Sequence, residues 1–230
     1  MNKKLQMADL VHRRKSRQGC VDGCEVKHFH YFSLGHFQGG LFECDVVSPT
    51  SIVANNLDAD VMLMGQDWDA EEGCRRPPNY DVALGYDPEW PTNKNVDSLL
   101  EVGLKLSRKD VYWTNLFPFI KGGDASAPIP VRELRNAATD FGIPQIEIVR
   151  PRVVVCFGLA TYNAIAWACE QPRFGRVSQA IETPFTHTGS GATIWCQSHP
   201  GALGRIQRER AGGKDQVRRD WERMAEALGR

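Results

Sequence analysis

The sequence lacks any long apolar run. Nothing in its 230 residues approaches the length that crosses a bilayer, so no membrane partner is expected. Its first residues, Met1 through Asp9, lack the apolar core of a secretory signal, and the expected compartment is the cytoplasm. It lacks net charge, because 28 basic residues balance 28 acidic ones. That argues against a histone-like polycation, though not against local patches. The basic residues collect at the ends, Lys3 to Arg17 and Arg205 to Arg219, where a charge run ordinarily marks a solvated face. Internal repeats and low-complexity tracts are absent. So is an even cysteine count: there are seven, better suited to thiols or metal ligands than to a disulfide framework.

What is present suits one folded domain spanning residues 1–230. Hydrophobic residues make up 42% of the chain and charged residues 24%, which is ordinary for a soluble globular protein. Residues 1–50 show no clear period and read as an irregular N-terminal cap with room for one helix; 58–205 read as the core. A monomer is expected.

Four core segments read as buried strands, and each runs into a polar or glycine-bearing turn: 60–65, 111–115, 152–158 and 193–199. Stretches with helical spacing separate them. Asn95 or Asp97 is placed to cap a helix through about Ser107. Pro130 opens another that Phe141-Gly142 could close, and Pro144 begins a short third. Leu159 to about Cys169 and Asp215 to Leu228 complete the set. Strands alternating with helices predict an α/β fold of three layers, with a central four-stranded parallel sheet between helical layers. Such sheets bind ligands beyond the carboxyl ends of their strands. Asp67, Asn115 and His199 are therefore expected to meet on one rim. No glycine-rich phosphate motif follows the first strand, which argues against a nucleotide-binding α/β protein.

At these strand ends the chain resembles the uracil-DNA glycosylase superfamily. Gly65-Gln66-Asp67 resembles the start of the Gly-Gln-Asp-Pro-Tyr-His loop that activates water. Thr114-Asn115 resembles the strand-end Asn that reads the uracil edge. Arg150 through Ala160 resembles the stretch before the third helix, and Ser198-His199-Pro200-Gly201-Ala202-Leu203 resembles the His-Pro-Ser-Pro-Leu motif. Each is weak alone; the four in family order are specific. The resemblance implies catalytic Asp67 and His199, and base contacts from Gln66, Asn115, Trp68 and Asp69. It also implies DNA contacts from Leu203 as a wedge and from Arg205 and Arg208 on phosphates. Taken singly, each has a plainer reading: Asp67 as a turn cap, His199 as a loop residue, Leu203 as core.

The chemistry suits these residue types. Breaking an N-glycosidic bond builds positive charge on the sugar and negative charge on the base. A carboxylate answers the first and a hydrogen-bond donor the second. The expected function is a monofunctional DNA glycosylase that releases uracil or a modified pyrimidine from a flipped-out nucleotide. Two departures bear on the base. Trp68 stands where the family motif has Pro, and Asp69 stands where it has the Tyr that excludes the thymine methyl group. The smaller Asp69 opens a second expectation, excision of hypermodified cytosine such as glucosylated hydroxymethylcytosine from phage DNA as an antiviral defence. A nucleic-acid-binding protein that has lost catalysis is the alternative of another class, and the retained Asp67 argues against it.

One branch of the superfamily holds an iron–sulfur cluster on four cysteines. Cys20 and Cys24 are separated by three residues rather than two, and residues 116–150 contain no cysteine, so no such cluster is expected. Cys20, Cys24, His28 or His30, and Cys44 have donor types that suit tetrahedral zinc. Unrelated thiols and imidazoles are the plainer reading, and no cofactor is expected.

Overall fold

The computed structural model describes residues 2–17 and 29–229. The chain opens with helix α1 (Lys3–Ser16), capped by the Asn2 side chain on the Lys4 N–H. A short strand, β1 (Tyr31–Phe32), leads to the first long strand, β2 (Val61–Asp67). The loop beyond it carries helices α2 (Glu71–Cys74) and α3 (Pro91–Leu99), and the latter runs on into a π-turn over Leu100–Leu104. Strand β3 (Tyr112–Phe117) is followed at once by β4 (Ile120–Lys121). Helices α4 (Val131–Ala137) and α5 (Ile143–Val149) are joined by a second π-turn, Ala138–Gly142, so Phe141-Gly142 continues the helix instead of closing it. Then come β5 (Val153–Phe157), α6 (Leu159–Ala168), α7 (Val177–Glu182), β6 (Phe185–Thr186) and β7 (Thr193–Gln197). Helices α8 (Ala202–Gly212) and α9 (Gln216–Ala227) close the fold.

The sheet has five strands in the order β3-β2-β5-β7-β6, not four. The four parallel members are the segments legible as buried strands. The fifth, β6, pairs antiparallel with β7 at the edge. It escaped notice because two residues carry no period. A separate ribbon pairs β1 with β4, setting Tyr31 opposite Lys121.

Both faces of the parallel strands are covered, which is why their sequences are continuous apolar runs without alternation. Met62, Met64, Val154 and Cys156 face one core shared with α1, α4, α5, α6 and α7. Val61, Leu63, Val153 and Val155 face the other, with α3 and α9, where Trp221 is fully enclosed. From β2 the chain crosses to β3 on one side and then to β5 on the other. That reversal leaves a crevice beyond the carboxyl ends of β2 and β5, the place where open α/β sheets bind ligands.

Candidate active site

A cavity of about 570 Å³ fills that crevice, and Gln66, Asp67, Asn115, Phe157 and His199 line it. The volume lies within the ~300–1,000 Å³ typical of small-molecule sites. The strand ends bring together three residues spread over the chain, as expected of a parallel sheet.

Asp67 is the most tightly held. Gln66 Nε2 donates to its Oδ1 at 2.9 Å, and Lys121 Nζ lies 3.0 Å from its Oδ2. Each oxygen keeps a lone pair for a ligand. The backbone is held too, because Asn115 Nδ2 donates to the Asp67 carbonyl at 2.8 Å. Asn115 Oδ1 accepts from Ser48 Oγ at 2.6 Å and Thr50 Oγ1 at 3.0 Å. This corrects the picture of an amide free both to donate to and accept from a base edge: one N–H remains for a ligand, and the rest holds the Asp67 turn. Gly65 is required for this, since a Cβ there would sit 2.6 Å from Asn115 Nδ2.

His199 follows β7 at the opposite side of the cleft. Its Nδ1 accepts from the Gly201 N–H at 3.0 Å. That bond leaves the proton on Nε2, so the ring presents a donor. The residue is exposed to solvent at the cleft. Burial pushes its pKa below the ordinary histidine value; Asp67 raises it and Lys121 lowers it, each by less. The ring is therefore neutral at neutral pH.

Trp68 and Asp69 also line the cavity. The Trp68 indole donates to the Gly85 carbonyl at 2.9 Å and packs on Phe42. Asp69 turns back onto α2, where its Oδ1 accepts from the Ala70 N–H at 2.7 Å. Gly73 makes room for it, since a Cβ there would meet Oδ1 at 2.4 Å. Burial raises the Asp69 pKa, and burial with nearby Asp69 raises that of Tyr80. Beyond Asp69 the cavity continues to Asn79, Tyr80 and Asn93. Asp81, next in sequence, caps a turn at Ala83 instead.

Of the residues expected on DNA, the structure separates three that the sequence grouped. Leu203 stands in the first turn of α8 with 75% of its surface exposed. Arg205 is half-buried and donates to Asn95 Oδ1 at 2.8 Å. Arg208 is a correction: it is buried and bidentate to Asp220, at 2.6 and 2.8 Å, so its guanidinium is not available to phosphates.

A family model of the uracil DNA glycosylase superfamily matches residues 54–225. The chain belongs to this superfamily. Among curated proteins, none matches the sequence. Membership gives the general class, a DNA glycosylase-type domain that acts on DNA, and the four strand-end motifs fall inside the matched span.

Sequence reasoning missed Lys121, whose signal is faint: a lysine closing the apolar run from Leu116 to Ile120. It also missed Ser48 and Thr50, whose role depends on a partner in β3. Of the zinc candidates, Cys20, Cys24 and His28 lie outside the described residues. Cys44 is half-buried, with burial raising its thiol pKa. Among the described residues no group of three or more metal-ligating side chains occurs, and no helix is long and apolar enough to cross a membrane.

Proposed function

We propose that this superfamily member hydrolyses the N-glycosidic bond of a flipped-out pyrimidine in DNA, leaving an abasic site. One observation carries the reading: a fixed carboxylate and a donor-presenting imidazole face the same cleft from the carboxyl ends of β2 and β7. As the C1′–N1 bond breaks, its electron pair leaves with the base. Asp67 stabilises the cationic sugar and orients water for attack at C1′, taking its proton. His199 Nε2–H donates to the base oxygen as negative charge builds there. One such preorganised donor lowers a barrier by about 3–4 kcal/mol. Gln66 orients Asp67, and the remaining Asn115 N–H and the Trp68 face contact the base.

Outside the cleft, exposed Leu203 suits a wedge that holds the vacated stack open. Arg205 and the uncapped N-terminus of α8 suit phosphate contacts. Water hydrolysis suffices, so the enzyme is read as monofunctional, without a cofactor. The test is incubation with duplexes carrying different bases, scored for abasic sites. Binding without base release from any of them would favour a non-catalytic DNA-binding protein.

One further observation favours a base larger than uracil. Asp69 is drawn onto α2, and the cavity continues beside it to Asn79, Tyr80 and Asn93. These polar groups could meet the hydroxyls of a C5 substituent such as a glucosylated hydroxymethyl group, the chemistry of phage DNA and hence of antiviral defence. Competition between uracil, thymine and C5-substituted cytosine in otherwise identical duplexes decides this. Release of uracil alone would remove it.

A further inference from the structure

We propose that Lys121 is a positioning residue of this site, its ammonium fixing the Asp67 carboxylate in the cleft and setting the charge that His199 faces. The inference rests on the reading of Asp67 as the carboxylate beside the sugar.

Lysine is almost never fully buried unless paired. The Lys121 side chain is 4% exposed. Its Nζ lies 3.0 Å from Asp67 Oδ2 and donates to the Ala125 carbonyl at 2.8 Å. It does not line the cavity, so it stands behind the carboxylate.

The backbone around it is tied on two sides. Tyr31 pairs with Lys121 across the β1–β4 ribbon, and the Gly122 N–H donates to the His30 carbonyl at 3.1 Å. On the other side Ala70 bridges to Lys121, the Glu72 N–H donates to the Gly123 carbonyl at 3.0 Å, and the Gly123 N–H donates to Glu71 Oε2 at 3.1 Å. The residues that follow Asp67 and those that follow Lys121 thus form one hydrogen-bonded unit. The small ribbon, which adds nothing to the main sheet, has the task of holding an ammonium in place.

Such a cation is needed because bound DNA would shut bulk water out of the cleft and leave only the reacting water beside the carboxylate. A carboxylate removed from water without a partner tends to take up a proton and is free to rotate. With Lys121 on one oxygen and Gln66 on the other, the Asp67 carboxylate is paired and aimed. The groups that face it are Asp69 from the following turn, His199 from the far side, and Lys121 itself. Asp124, further along the Lys121 loop, lies within the same field. Burial is the main cause that lowers the His199 pKa, and the Lys121 charge adds to it. Loss of that charge lets the ring take a proton at higher pH.

The experiment compares wild type, K121Q, K121R and D67N in single-turnover base release at saturating DNA, across acid to neutral pH. K121Q should slow cleavage about ten- to hundredfold, with the DNA dissociation constant within about twofold of wild type. The acid-side half-maximum should move to higher pH, and K121R should recover part of the rate and the original profile. If K121Q does not fold, K121M takes its place, since an unbranched apolar chain suits a buried site. A wild-type rate and profile in the charge-free variant beside an inactive D67N would overturn the inference and leave the glycosylase reading intact. Equal losses in K121Q and K121R, matched by lower melting temperatures and an unmoved profile, would overturn it by showing a structural role only. Wild type that releases no base would sink the glycosylase reading, and the inference with it.

Discussion

The two sides of the cleft are built differently. On the β2 side, Asp67 is held at both carboxylate oxygens and at its carbonyl by Gln66, Lys121 and Asn115, and Asn115 is held in turn by Ser48 and Thr50. On the β7–α8 side, His199 has one internal bond to Gly201, and Leu203 stands in solvent. The contrast teaches that the hydrogen-bond network is densest around the carboxylate proposed to meet the sugar. His199 is oriented by one bond, enough to fix which nitrogen presents the proton, and Leu203, the proposed wedge, is held by none of these bonds. On the proposed mechanism, preorganisation sits where reorganisation would cost rate.

The comparison breaks most sharply at Asp67. D67N should reduce single-turnover base release about 10²–10⁴-fold with DNA binding largely kept. Near-normal turnover would remove Asp67 from the mechanism. Next comes a contrast within α8. R208A strips the buried Asp220 carboxylate of its bidentate partner, and should cost about 3–5 kcal/mol of stability by thermal or denaturant melting. R205A should leave stability nearly unchanged and weaken DNA binding in a salt-dependent way. A stable R208A with weakened DNA binding would restore it to the interface.

H199A should slow cleavage about 10²–10³-fold, or ~2.7–4 kcal/mol, more than it weakens binding. An unchanged rate at saturation would make His199 a binding residue. The pH dependence has a definite sign. Burial pushes the His199 pKa down, so the neutral ring persists below the ordinary value of about 6.5. Activity should hold through that pH and fall only at more acid values, and a rate that falls already above it would count against a neutral donor. The smallest effect is expected from L203A: roughly tenfold, about 1.4 kcal/mol, on duplex substrate and none on single strands. Equal effects on both would deny the wedge.

The four parallel strands were legible because burial on both faces makes their sequences continuously apolar, and the site residues followed from where those strands end. What was not legible depended on partners far along the chain. Asn95 and Asp97 resemble helix caps, yet Pro91 opens α3 before them. Asn95 instead donates to the Pro200 carbonyl and accepts from Arg205, and Asp97 pairs with Arg108. Arg208 looked like one more basic residue of a charged tail until α9 brought Asp220 against it. Asn115 was identified as a site residue, but its bonds to Ser48 and Thr50 lie in a segment without period. Lys121 has its partner 54 positions earlier, and no local pattern joins the two.

The bonds from Ser48 and Thr50 to Asn115 set where the working unit begins. The family match starts at residue 54, after both hydroxyls and after Tyr31, which pairs with Lys121. A truncation cloned to the matched boundary would retain Asp67, Asn115, His199 and the whole main sheet, and would still cut away the hydroxyls behind the amide and the strand behind the ammonium. For this chain the span matched by the family model and the span that builds the cleft are different lengths of polypeptide. A deletion series that stops at the family boundary also removes α1, whose Met7, Leu10 and Val11 pack in the main core, and is expected to lower the melting temperature as well as loosen the cleft.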